Sequence, residues 1–213
     1  MGDERARGGA ALELVTSRVE IGAHTLELVH PRTPDDLLDE EAFEREEYLP
    51  YWAEPWPSGV ALARALVGRR LRGLHVLELG CGLAIPSLYA ALEGADVLAT
   101  DWSEDAVAAA RENAARNGAV LETAVVRWSE PEALLERAPW QLVLAADVLY
   151  ERRNVDELLA LLPLLGNRVV LADPGRPPAK RFLEAWPGEP EPVLRDGSVT
   201  VYELRAPPPA AAY

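Results

Sequence analysis

The chain carries a single cysteine, Cys81, which excludes an internal disulfide. Its three histidines are scattered, and no Cys/His cluster has the spacing of a metal site. No apolar run approaches the roughly 20 residues that a membrane-spanning helix needs. The opening stretch, MGDERARGGA, is charged and lacks the apolar core of an export signal. A basic stripe is also missing. Arg69, Arg70 and Arg72 gather at the end of a predicted helix, where cations complement the dipole, and Arg152 and Arg153 form only a pair. The formal charge of −14 repels phosphate backbones, so nucleic acid is not an expected partner. Internal repeats are absent. The expectation is a cytoplasmic protein with no structural metal, no nucleic-acid partner and no membrane contact.

With 213 residues, 49% of them hydrophobic, the chain suits one domain with a sizeable core and a small N-terminal extension. Residues 1–50 read as that extension. Ser17–Pro31 alternates apolar and polar residues on both sides of Gly22-Ala23 and predicts a hairpin. Asp35–Tyr48 is strongly acidic, with Leu37, Leu38, Ala42 and Phe43 at helical spacing. It predicts a solvated helix, or a rim that attracts a cationic protein. Residues 51–206 read as the main domain. Ser58 is a candidate N-cap for a helix over Gly59–Val67. Strands are predicted at Leu74–Leu79, Asp96–Thr100, Glu122–Arg127, Gln141–Ala146 and Arg168–Ala172. Helices are predicted at Ile85–Glu93, Glu104–Asn117, Pro131–Arg137, Val155–Leu165 and Pro178–Ala185. The alternation predicts an α/β fold, a Rossmann-like parallel sheet covered on both faces. Ser198–Leu204 has no helix after it and would pair as a late strand, and the proline-rich residues 207–213 form a disordered tail.

The most informative stretch is VLELGCGLAIPS, Val76–Ser87. An apolar run ends in Gly80 and Gly82 and enters a predicted helix, and Asp101 closes the next apolar run about 20 residues on. This is the layout of a nucleoside-bearing cofactor site. The glycines would let backbone amides approach the ligand, with Cys81 contributing its amide, and Asp101 would accept hydrogen bonds from ribose hydroxyls. The small residue that closes a dinucleotide fingerprint is replaced by Ile85. Glu78, just ahead of the glycines, would repel a pyrophosphate and suit a cationic amino-acid moiety such as the methionine part of S-adenosylmethionine.

Ligands of an open parallel sheet sit beyond the carboxyl ends of the strands. Those ends offer Gly80 and Gly82, Asp101 and Trp102, Arg127 and Trp128, Ala146 and Asp147, and Asp173–Arg176. Trp128 would stack on adenine, and Trp56 would lie over the cofactor from the N-terminal side. Asp147 and Tyr150, in D-V-L-Y, lack the paired prolines of adenine-modifying sites and would instead hold an amine.

Together these residues resemble the class I seven-strand methyltransferases. More narrowly, they resemble the lysine-methyltransferase-like family that includes enzymes acting on the electron-transfer flavoprotein β-subunit. W-P-S-G at Trp56–Gly59, E-L-G-C-G at Glu78–Gly82, Thr100-Asp101, Trp128, D-V-L-Y at Asp147–Tyr150 and D-P-G-R at Asp173–Arg176 carry the resemblance. Two positions depart from the family's pattern: Ala84 replaces a glycine, and Arg127 stands where an acid often precedes the tryptophan. The resemblance implies a seven-strand sheet whose last strand is antiparallel. It implies S-adenosylmethionine contacts from Trp56, Glu78, Gly80, Cys81, Gly82, Asp101, Trp102, Trp128 and Ala146. Asp147 and Tyr150 would face the substrate as the catalytic pair.

The expected activity is N-methylation of lysine side chains in a protein substrate, such as a flavoprotein β-subunit. Three alternatives stay open: a small-molecule N-methyltransferase, a nicotinamide-dependent oxidoreductase and a non-catalytic nucleoside-binding module.

Overall fold

A computed structural model describes residues 13–33 and 51–205. The acidic segment 35–48 and the tail 207–213 lie outside the described residues. The predicted hairpin is present as β1 (Leu14–Ile21) and β2 (His24–Pro31), antiparallel from Ile21↔His24 to Leu14↔Pro31. Gly22, at φ +59°, makes the turn. The alternation read from the sequence places Leu26 and Leu28 in the core.

The rest of the described chain is α1 (Pro57–Leu66), β3 (His75–Leu79), α2 (Ile85–Leu92), β4 (Asp96–Asp101), α3 (Glu104–Asn117), β5 (Glu122–Val125), α4 (Glu132–Leu135), β6 (Leu142–Ala146), α5 (Arg152–Leu165), β7 (Arg168–Asp173), α6 (Pro177–Ala185), β8 (Glu191–Asp196) and β9 (Val199–Arg205). One seven-stranded sheet has the order β5-β4-β3-β6-β7-β9-β8. The strands from β3 to β7 pair in parallel, and β9 runs antiparallel to both its neighbours. The expected fold class is observed, including the antiparallel final strand.

Each central strand feeds two cores, because successive side chains point to opposite faces. Val76, Leu142, Leu144, Val170 and Ala172 join α1, α2 and the hairpin on one face. Leu77, Leu79, Val143, Val169 and Leu171 pack with Leu158, Leu162 and Phe182 of α5 and α6 on the other. Burial on both faces explains why these strands read as continuous apolar runs. The hairpin is held onto α3 by polar side chains. Asn113 Oδ1 accepts the Val29 N–H at 2.8 Å, and Asn117 both accepts the Glu27 N–H at 2.8 Å and donates to the Glu27 carbonyl at 2.7 Å.

Two local expectations change. Ser58 is not the N-cap of α1: Trp56 holds that position and Pro57 is the first helical residue, where its fixed φ suits a helix start. The hydroxyl of Ser58 points to Asp147 instead. Strand β8 was not expected, since EPVLRD is polar and contains a proline. It forms at the sheet edge, where Pro192 is tolerated and a register shift follows between Pro192 and Leu194. Among the described residues no helix is long and apolar enough to cross a membrane.

Candidate active site

Every residue assigned from the sequence to the cofactor or the substrate lines one cavity of about 220 Å³ at the carboxyl ends of the parallel strands, whereas Arg127 and Asp173, also at strand ends, do not line it. The topology sets the layout. Asp101 and Trp102 come from the end of β4, with Trp128 beyond β5. Glu78 and the glycine turn come from β3 at the centre, and Ala146, Asp147 and Tyr150 from β6 on the other side.

The turn after β3 is built on positive φ: Gly80 at +63°, Gly82 at +49° and Ala84 at +61°. A side chain at Gly80 would also come within 3.1 Å of Val148 Cγ1 and 3.6 Å of Trp128 Cζ2. At Gly82 it would press on the Trp52 carbonyl oxygen at 3.4 Å. The amides of this turn are used differently from the expectation. Cys81 N–H donates to the Thr100 carbonyl at 2.9 Å, and Gly82 N–H to Asp101 Oδ2 at 3.0 Å. The Cys81 amide is therefore not available to a ligand. The pull of the neighbouring strand on the turn wins, and the glycines supply conformation and close approach rather than free donors. The Cys81 thiol is buried, and burial together with the charges of Asp101 and Glu78 pushes its pKa well up, so it is not a nucleophile.

Two buried carboxylates line the cavity. Asp101 is 6% exposed, with Oδ1 accepting the Ser103 N–H and Oδ2 the Gly82 N–H, both at 3.0 Å. Burial raises its pKa against the lowering effect of these amides. Glu78 is 1% exposed. Its Oε2 accepts the Ser87 N–H at 3.0 Å and also the Ser87 hydroxyl. Ser87 is the third residue of α2, whose N-cap, Ala84, has no side-chain acceptor to offer. Glu78 thus caps α2 from a neighbouring strand, where a carboxylate also complements the helix dipole. Burial pushes its pKa up to about 8, because the two Ser87 donors do not offset desolvation and the Asp101 charge adds to it.

On the β6 side, Asp147 adopts φ +58°, one of two non-glycine residues at positive φ among the described residues. Its N–H donates to the Ala172 carbonyl at 2.9 Å, which fastens it to β7. Its Oδ1 accepts Arg176 Nε at 2.7 Å, and its Oδ2 accepts the Ser58 hydroxyl at 3.3 Å. Asp173 holds the loop that delivers this arginine: its Oδ1 accepts the Gly175 N–H at 2.7 Å and the Arg176 N–H at 2.8 Å. Asp173 Oδ2 is buried without a hydrogen-bond partner among the described residues. Burial, with the Asp147 charge nearby, raises the Asp173 pKa despite those two amides. The bond to Asp147 raises the pKa of Arg176.

Aromatic side chains form the mouth. The rings of Tyr51 and Tyr150 lie 5.2 Å apart, tilted by 47°, and Trp56 Nε1–H donates to the Tyr51 carbonyl. Burial, followed by the Glu151 charge, raises the Tyr150 phenol pKa. A second hollow of about 140 Å³ shares Trp102, Trp128 and Tyr150 with the first and adds Arg127 and Arg153. Sequence reasoning missed Ser58 and Tyr51 as site residues and gave Arg176 only as a strand-end residue without a role. Arg176 left a signal in D-P-G-R, directly after a parallel strand. Tyr51 left only its place in an aromatic, proline-rich segment. Among the described residues no cluster of His, Cys, Asp and Glu could hold a metal ion.

Residues 53–172 match the lysine methyltransferase family. The chain belongs to that family. It is 34% identical over 139 residues to the electron transfer flavoprotein beta subunit lysine methyltransferase of Xenopus laevis, an alignment covering 60% of this chain and 53% of that one. It is 32% identical over 119 residues to the human histone-arginine methyltransferase METTL23, covering 53% of this chain and 63% of that one. The chain spans about half the length of the flavoprotein-directed relatives it matches. Its fold is that of the T. thermophilus 16S rRNA N2 G1207 methyltransferase solved with AdoMet and guanosine, at a TM-score of 0.66 and 17% identity over 92% of this chain and 51% of that one. This lysine methyltransferase family member has the fold of a solved methyltransferase, and the nicotinamide reading falls away.

Proposed function

We propose that this chain is an S-adenosylmethionine-dependent N-methyltransferase that methylates lysine side chains of a protein substrate. One observation carries the reading. A single cavity joins Asp101, Trp102 and Trp128 on the β4–β5 side and Glu78 at the centre of the sheet to Asp147 and Tyr150 on the β6 side, with Tyr51 against Tyr150.

The residues present fit the cofactor. Asp101 lies at the cavity wall, where the free lone pairs of its carboxylate can take ribose hydroxyls. Trp102 and Trp128 offer flat faces to a purine. Glu78, raised to about 8, is a carboxylate that a cation would return to its charged form, and the methionine moiety with its sulfonium is cationic at both sulfur and nitrogen. A pyrophosphate would meet the opposite electrostatics. When bound, S-adenosylmethionine supplies a methyl group on a positively charged sulfur, open to in-line displacement.

The chain's own residues then have to position and desolvate an amine. A lysine with an unperturbed pKa of about 10.4 arrives as an ammonium with no free lone pair. Asp147 accepts a hydrogen bond from it and so fixes its direction. Because Arg176 already sits on Asp147, the carboxylate is partly neutralised and its hold on the charged form of the amine is weakened. Tyr51 and Tyr150 exclude water from the nitrogen, which favours the neutral amine, its proton passing to bulk water as the side chain enters. Positioning of this kind is the main contribution a protein makes to such a displacement.

An electron-transfer flavoprotein β-subunit-like protein is the proposed partner, supported by the relatives' names. The test is incubation of the purified protein with a lysate and S-adenosylmethionine carrying a tritiated methyl group. Labelled protein bands, with methyl-lysine found by mass spectrometry, support the reading. Label only in small molecules would favour a small-molecule acceptor, and cofactor binding without any labelled product would leave a non-catalytic module.

A further inference from the structure

The carboxylate that faces the acceptor is already half engaged. Asp147 Oδ1 accepts Arg176 Nε at 2.7 Å, whereas Oδ2 has only the longer bond from the Ser58 hydroxyl at 3.3 Å. Both partners of the short bond are anchored at the backbone. The Arg176 backbone is fastened by Asp173 and runs directly into Pro177, the first residue of α6. Asp147 is fixed by its own N–H on Ala172 and by its left-handed backbone. The arginine side chain is 35% exposed and lines the cavity, so it reaches its partner from inside the site.

Lysine and arginine side chains, the acceptors named for two relatives, differ in what they ask of a carboxylate. A guanidinium presents parallel N–H groups that match both oxygens at once. An ammonium is a compact charge that needs one oxygen. With the Arg176 guanidinium on Oδ1, a second guanidinium laid across both oxygens would meet that like charge, whereas an ammonium can use Oδ2 alone once the Ser58 hydroxyl rotates away. We propose that Arg176 is a positioning residue that sets the acceptor class: by occupying one oxygen of Asp147 it admits a primary amine and rejects a guanidinium group. This rests on the reading of Asp147 as the acceptor-facing carboxylate. The distinction matters because the chain resembles both a lysine-directed and an arginine-directed enzyme.

The test compares binding of n-butylammonium and n-propylguanidinium, followed by the shift of the Asp147 backbone amide in NMR spectra. It is run with and without S-adenosylhomocysteine on the wild type, Arg176→Ala and Arg176→Lys. The wild type and Arg176→Lys, which keeps a cation on Oδ1, should prefer the ammonium. In Arg176→Ala the guanidinium should gain about tenfold relative to the ammonium, the worth of one additional charge-assisted hydrogen bond. Should Arg176→Ala fail to fold, Arg176→Gln, whose shorter neutral side chain does not carry the guanidinium to Oδ1, must show the same gain. An unchanged ratio in the variant, a wild type that prefers guanidinium, or no shift of Asp147 with either probe would overturn the proposal. Failure to bind S-adenosylhomocysteine would instead count against the cofactor reading, and the probe ratio would still decide the role of Arg176.

Discussion

Glu78, at the centre of the sheet, accepts both the backbone N–H and the hydroxyl of Ser87, nine residues further along the chain. The carboxylate that reads as a ligand contact is thereby also the cap of helix α2, and its ionisation couples the site to the stability of the fold. Its folded-state pKa of about 8 lies above the ordinary carboxyl value of 4.5, so the folded protein binds this proton more tightly than the unfolded chain. The stability this proton contributes is fully present below the unfolded value and is lost as pH rises through about 8. The slope for this one group is at most about 1.4 kcal/mol per pH unit. Glu78→Gln keeps an acceptor for Ser87 and removes the titration. Urea denaturation between about pH 5 and pH 8 should show a shallower decline for the variant than for the wild type. Parallel curves would refute the assignment, since Asp101 and Asp173 titrate in both proteins.

Gly80→Ala should destabilise the fold by about 2 kcal/mol, since the left-handed backbone and the approach to Val148 act together. It should weaken S-adenosylhomocysteine binding as well. A change in chemical denaturation midpoint indistinguishable from zero would show that the turn adapts.

Asp147→Ala should leave S-adenosylhomocysteine affinity nearly unchanged, because Asp147 lies on the β6 side of the cavity and Asp101 on the β4 side. Methyl transfer to protein should fall by about 100-fold or more, the scale expected when a positioning contact to a reacting group is lost. Calorimetry and filter-bound tritium measure the two effects separately. Turnover at the wild-type rate would remove Asp147 from the mechanism.

Asn113→Ala deprives the Val29 N–H of its acceptor, at a cost of about 1–3 kcal/mol. Its effect should be concentrated in the hairpin. Hydrogen exchange should accelerate at Val29 and Glu27 while β3 and β6 remain protected. Uniform acceleration across the sheet would mean that the hairpin and the sheet unfold as one unit.

The parts of this molecule legible in the sequence are those fixed by local pattern. Leu142–Ala146 reads as a buried strand because both faces are apolar, and Gly80–Gly82 reads as a turn because little else tolerates that backbone. Most of the candidate residues converge in one cavity because they lie at or just beyond strand ends, which are visible as the points where apolar runs stop; Trp56 joins them from the start of α1. What was not legible depends on partners distant in the chain. Ser58 looks like a cap until Asp147, 89 residues away, claims its hydroxyl. Cys81 looks like an open donor until Thr100 takes its N–H. Glu191–Asp196 has too little apolar surface to announce a strand and forms one because β9 gives it an edge to pair with.

That arrangement constrains the order of assembly. Strand β9 lies between β7 and β8 although it follows both in sequence, and Glu203 on it is gripped by Arg69, Arg168 and Arg205. While the protein is being synthesised, β3 to β7 can associate early, but β8 emerges with no partner and must wait. Only when Val199–Arg205 pairs with β7, bringing β8 with it as a hairpin, is the sheet complete, so a nascent chain stalled before that point would expose the flank of β7 to wrong pairing.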